Sequence, residues 1–266
     1  MNNLELSTTN RLVNLIEHHG VLGIKTSFED EGASFNEVVR LKELCNQART
    51  KLLLKIQGAE AKRDLADSII IGVKGIVAPM IESPFALDKY IDSVINILGE
   101  ELMSSIQLGI NIETFQAYKN FDEISKADGF EKLYNITFGR VDFVKSLGKD
   151  RSYCDSDDIY NIVQDLFKKC RILSKRVYLG GAISNASEDF LTKLFKSGLL
   201  DKFETRYVIY DPAIALKGLD ESLIEGQKLE LDILKYRRDF NFKNSQKEID
   251  RINMIENRIN STKLNK

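Results

Sequence analysis

The sequence predicts an α/β fold, a TIM-type (β/α)8 barrel in a single domain. Three observations predict it. Short apolar runs rich in Ile and Val alternate with longer amphipathic ones, the pattern of βα units around a parallel sheet. The predicted strand ends recur at a spacing of roughly 25 to 40 residues, as a strand, a helix and two loops require. The length of 266 residues suits one such barrel.

Residues 1–20 read as an N-terminal helix ending at LIEHHG, which places His18 and His19, the chain's only histidines, at a helix end. Seven strands follow: VLGIKTSF, KLLLKIQG, GIVAPMIE, SIQLGINIE, YNITFGRVD, RVYLGGAIS and YVIYDPA. Between them, FNEVVRLKELCNQA, FALDKYIDSVINIL and DDIYNIVQDLFKKC carry apolar residues at i, i+3 and i+4. These are surface helices, with Cys45 and Cys170 on their core faces. The barrel occupies 21–215, and closing it needs an eighth strand from the N-terminal residues or from the region after Asp211. From about Leu216 the chain becomes charged, nearly free of Gly and Pro, and helical in its stripe, so 216–266 read as an extended C-terminal helical segment. It either packs on its own barrel or is an arm exchanged between subunits. No repeat, low-complexity tract or linker marks a second domain within 1–266.

Composition narrows the partners. With 43% hydrophobic and 29% charged residues and a formal net charge of -2, the chain has no broad basic field for nucleic acid or anionic membrane. Apolar runs such as SIIIGVKGIVAPMI are broken by Gly, Lys and Pro before the roughly 20 residues a membrane span needs. Three cysteines without CxxC spacing, and no charged, apolar and small-residue leader at the start, predict a reducing cytoplasm.

A parallel barrel draws its catalytic groups from the C-terminal ends of its strands. Here the first five ends carry Lys25, Glu29 and Glu31; Lys55 and Glu60; Glu82; Glu113; and Arg140 and Asp142. Singly, each reads as a solvated loop residue. Five charged ends in succession read as a site. Glu113 and Asp142 end adjacent strands and supply hard oxygen ligands suited to Mg2+ or Mn2+, with the remaining positions left to water and substrate. A 2-oxo acid would chelate such a metal through its carboxylate and keto oxygens, and the metal would stabilise the enolate formed as the neighbouring carbon bond breaks or forms. Lys25, Lys55 and Arg140 are the cations available to hold the substrate, Lys55 and Arg140 also to offset enolate charge. The alternative for Lys55 and Arg140 is a structural ion pair inside the barrel mouth.

These segments resemble a known family. GIVAPMIESPFAL resembles the strand, Pro-Met and helix of the HpcH/HpaI aldolase and citrate lyase family; INIETFQAYKNFDEI resembles its metal-ligand glutamate segment; FGRVDFVKSLG resembles its second ligand segment. The resemblance covers roughly Gly23 to Gly148. It implies a divalent-metal-dependent barrel acting beside a pyruvate-like unit, with Glu113 and Asp142 as ligands, often as a homo-oligomer with an exchanged C-terminal helix. Two positions depart from the family. Lys55 stands where members acting on 2-oxo-3-deoxy acids carry an arginine, and Gly32, in EDEGASF, stands where they carry a proton-transferring histidine. A general base must then be Glu29, Glu31, Glu60 or Glu82, with Glu60 and Glu82 ranked first by strand order, or a metal-bound water.

Two further motifs remain. The Gly pair of YLGGAIS serves close packing or presents amides to a phosphate. Arg206, in FETRYVIYDP, precedes the last strand and is expected at the opposite, stabilising end of the barrel. The sequence therefore predicts a metal-dependent carbon-carbon lyase or condensing enzyme for a small 2-oxo acid or acyl substrate. Phosphoenolpyruvate chemistry on the same barrel and a non-catalytic assembly subunit are the alternatives.

Overall fold

A computed structural model describes residues 3–29 and 31–264. The elements run α1 (Asn3–His18), β1 (Val21–Ser27), α2 (Phe35–Gln47), β2 (Lys51–Lys55), α3 (Lys62–Ile71), β3 (Gly75–Ala78), α4 (Pro84–Met103) and β4 (Gln107–Ile112). They continue with α5 (Phe115–Lys119), α6 (Phe121–Ile124), β5 (Asn135–Gly139), α7 (Arg140–Ser146), α8 (Asp157–Ile172), β6 (Arg176–Gly180) and α9 (Glu188–Lys196). The chain then forms β7 (Lys202–Glu204), β8 (Val208–Tyr210), α10 (Pro212–Ala215) and α11 (Leu219–Leu264). The eight strands close into a barrel in sequence order.

Local chemistry explains where the helices begin. Ser34 and Glu37 form a reciprocal capping box on α2, Ser83 caps α4 with Pro84 at its first turn, and Ser156 caps α8. Each cap satisfies an amide that the first helical turn leaves without a partner. The helices bury apolar stripes against the barrel, and Cys45, Cys154 and Cys170 lie free and buried among them.

The barrel departs from a regular (β/α)8 design at its closure. Strands β1 to β7 run parallel, but β8 is antiparallel to both β7 and β1. Residues 205–207 alone connect β7 to β8, and a parallel return requires a crossover of a dozen or more residues. The missing strand is therefore Lys202–Glu204, rather than a segment of the N-terminus or one after Asp211. The reversal also moves Asp211 to the base of the barrel, where its N–H donates to Gly20 O (2.8 Å) and its side chain caps α10. Arg206 moves the other way: the β7–β8 turn carries it to the catalytic end, correcting the expectation that it faces the stabilising one.

Inside the barrel, the levels below the mouth are filled. A Cβ on Gly75 would meet Leu53 Cγ at 2.8 Å, and one on Gly109 would meet the Asn135 amide at 2.8 Å. Any ligand space must lie above them. After α10 the chain forms one long helix, α11, from Leu219 to Leu264. Leu219, Leu223 and Leu229 of α11 are buried, and Arg11 of α1 ties it through Glu225 (3.0 Å) and Asp232 (2.8 Å). Among the described residues, no helix is long and apolar enough to cross a membrane.

Candidate active site

At the C-terminal end of the parallel strands a cavity of about 480 Å3 opens, lined by residues from β1, β2, β4, β5, β6 and β7 and by α7 and α11. Glu113 stands in its wall, just beyond β4, and is 2% exposed. Its Oε1 accepts the Met80 N–H (3.0 Å), and its Oε2 accepts the Asn111 amide (3.0 Å). Lys55 Nζ lies 3.6 Å from the same Oε2. Met80 reaches Glu113 by adopting a left-handed backbone, φ 52°, a conformation a non-glycine residue holds at some cost. The Pro-Met turn after β3 thus aims one amide at this carboxylate.

Lys55 also pairs with Glu29 (3.0 Å). Burial works against its charge, yet Glu113, Glu29 and Asp142 outweigh that effect and hold its pKa above the ordinary lysine value. Asp142, in the first turn of α7, faces the same cavity. It makes no hydrogen bond or ion pair among the described residues. Lys25 reaches across to Glu204 of β7 (2.7 Å), and Arg206 pairs with Glu31 (3.4 Å). Arg151, at the lip, makes no ion pair among the described residues.

Other predicted residues lie elsewhere. Arg140 is fully buried and points away from the mouth, behind β5. Its guanidinium donates to Gly181 O (2.9 Å), Ser187 Oγ (3.3 Å) and Asp155 and lies over the Phe190 ring. Burial pulls its pKa below the usual guanidinium range, with Asp155 opposing. This is the structural ion pair, so the substrate-binding and catalytic assignment of Arg140 is corrected. Strand alternation holds the reason, because Ile136, Phe138 and Arg140 share the outward face while Asn135, Thr137 and Gly139 face the barrel. Glu60 is exposed and pairs with Lys89 of α4 (3.6 Å). The Glu82 carboxylate accepts the Thr114 hydroxyl (2.5 Å), and its carbonyl accepts the Asn120 amide (2.8 Å). It fastens the loop after β3 to the loop after β4. Neither glutamate lines the cavity, which removes the two general bases ranked first by strand order.

His18 and His19 lie at the other end of the barrel, where α1 gives way to β1, and His19 faces Ser222 of α11. Close packing explains the second glycine of YLGGAIS, Gly181. At Gly181, φ is 84°, and a Cβ would stand 2.8 Å from Val141 N.

The residues present fit a divalent cation through two ligands. Among the described residues no cluster of three His, Cys, Asp or Glu side chains could hold a metal unaided. Glu113 and Asp142 nevertheless share one cavity, each Glu113 oxygen retains a second lone pair, and Asp142 is unpartnered. Mg2+ commonly binds through one or two carboxylates and keeps water and substrate in its other positions.

Comparison with known proteins agrees with this architecture. The family profile described as HpcH/HpaI aldolase/citrate lyase matches residues 41–183. A solved HpcH/HpaI aldolase from Desulfitobacterium hafniense DCB-2 is 14% identical, with a TM-score of 0.57 over 70% of this chain and 78% of that one. The citrate synthase SbnG is 17% identical, with a TM-score of 0.60 over 83% of this chain and 89% of its own. A family protein from Burkholderia cenocepacia J2315 is 11% identical, with a TM-score of 0.59 over 76% and 82%. These structures share the fold. No curated protein sequence matches significantly.

Proposed function

Because the chain belongs to the HpcH/HpaI aldolase/citrate lyase family and is a lyase-type enzyme, we propose that it makes or breaks a carbon-carbon bond beside the keto group of a small 2-oxo acid. One observation carries the proposal: the buried, donor-held Glu113 shares a strand-end cavity with Asp142, which makes no hydrogen bond or ion pair among the described residues, and Lys55 stands beside Glu113 within the field of Asp142. Glu113 and Asp142 would hold the cation, Mg2+ or Mn2+. When bound, it supplies positive charge that polarises the keto group.

The chain's own side chains do the rest. Lys55, kept protonated by its carboxylate neighbours, offsets charge developing on the keto oxygen. Asn111 and the Met80 amide fix the Glu113 carboxylate, so its orientation does not depend on ligand. Arg151 replaces Arg140 as the cation free to receive a substrate carboxylate at the lip. Three buried free cysteines support a reducing compartment such as the cytoplasm. The long α11 supports assembly with other copies of the chain.

Calorimetric titration with Mn2+ tests the site. Glu113→Gln and Asp142→Asn are each expected to lose metal binding while keeping the parental circular dichroism. Parental affinity in both variants would overturn the ligand assignment.

A further inference from the structure

The cavity contains no histidine or cysteine among its described lining residues, so proton transfer falls to carboxylates, amines or water. Of the carboxylates other than the two ligands, Glu29 is paired to Lys55 and does not line the cavity. Glu31, on the loop after β1, has a side chain only 5% exposed but is engaged by Arg206 at 3.4 Å, and Glu230 lies on α11. Glu204 is different. It projects from the inner wall on β7, its side chain is 7% exposed, and its carboxylate pairs with the Lys25 ammonium at 2.7 Å.

Strand register places Glu204 in the same row of the mouth as Glu113. Gly139 pairs with Gly180 and Gly180 pairs with Glu204, while a Cβ on Gly139 would lie 3.0 Å from Glu113 Oε2. The row across the mouth is therefore Glu113, Gly139, Gly180, Glu204. Two glycines separate the two buried glutamates, so within this row no side chain stands between them. Strands are about 4.8 Å apart, so the row spans roughly 14 Å along the wall and less across the curved barrel. Each glutamate reaches inward over the glycines, and each is matched by a lysine from β1 or β2.

We propose that Glu204, held by Lys25, is the general base that removes the proton from the carbon next to the keto group of the 2-oxo acid. This rests on the 2-oxo-acid reading above. The acid is seated at the Glu113 and Asp142 side with its reacting carbon over the glycine floor. The carbon–hydrogen bond breaks, the proton goes to the Glu204 carboxylate, and the electron pair moves into the carbon–carbon bond as the keto oxygen gains charge. In the cleavage direction the same carboxylic acid returns the proton. Lys25 holds the carboxylate in place and balances its charge when it is ionised. The general base is therefore on a strand that period-two reading passed over, on the opposite side of the barrel from Glu60 and Glu82.

Exchange of the pyruvate methyl protons in D2O with Mg2+, followed by proton NMR, tests this without knowing the second substrate. The parent should exchange. In Glu204→Gln the rate at saturating pyruvate should fall about a hundredfold or more, with pyruvate and Mg2+ affinities within about twofold of the parent. Glu204→Asp should recover part of the rate. A merely structural role would instead lower affinity or melting temperature. Parental exchange in Glu204→Gln overturns the base assignment and leaves the 2-oxo-acid reading standing, whereas a parent that never exchanges overturns both. Should Glu204→Gln fail to fold, Gly180→Ala decides. Its Cβ would lie 3.8 Å from Glu204 Oε2, on the glycine floor where the reacting carbon is seated, so exchange should fall, and undiminished exchange in it would overturn the proposal.

Discussion

Lys55 and Arg140 both follow apolar strands and both carry positive charge, yet they face opposite sides of the barrel wall. Lys55 lies between Glu29 and Glu113 at the cavity, whereas Arg140 is enclosed by Asp155, Ser187 and the Gly181 carbonyl. Their variants should separate accordingly. Lys55→Met is expected to weaken 2-oxo-acid binding about tenfold, the loss of one charge-assisted contact, with Mn2+ affinity little changed. Arg140→Met should instead lower unfolding free energy by about 3 kcal/mol, because it leaves buried acceptors and Asp155 without their partner. Isothermal titration and urea denaturation measured on both variants check the contrast. A binding defect confined to Arg140→Met would reverse the two roles.

At the scale of elements, the βα series from β1 to β6 is legible because each strand is an apolar run with a stop signal. The seventh strand is not. Lys202–Glu204 is three residues long with charges at both ends, so neither hydrophobicity nor length separates it from a loop. Its register against β6 and β8 creates the strand. Without it the last strand reads as parallel and Arg206 falls at the wrong end, whereas Glu113 and Asp142, each in a motif segment, do share one cavity. YLGGAIS shows how two neighbouring glycines can differ. Gly181→Ala should destabilise the fold by about 1–3 kcal/mol, since the left-handed backbone and the approach to Val141 N both exclude a side chain. Gly180→Ala meets only ordinary contacts and should leave the melting temperature near that of the parent. Equal melting temperatures for the two variants would contradict this account.

For the whole molecule, chemistry gathers at one end of the barrel, and α11 is longer than that barrel requires. Its 46 residues correspond to about 69 Å at the usual helical rise, against a radius of gyration of roughly 18 Å for a compact chain of this length. The first part is committed to its own subunit: Arg11 binds Glu225 and Asp232, while Arg237 pairs with Glu37 and holds the Glu31 carbonyl. Farther along, Ile249, Ile252 and Ile255 are exposed at helical spacing on one face. Three exposed isoleucines in line are an apolar stripe without cover, and a second copy of the chain would supply it. Truncation after Arg238 keeps every contact named for the first part, so the barrel should fold and bind Mn2+ as the parent does. In sedimentation, the parent should run as a multiple of its 30.3 kDa chain and the truncated protein as a monomer. If both have the same subunit number, the distal helix does not hold the assembly together, and the exchanged-arm reading of α11 fails.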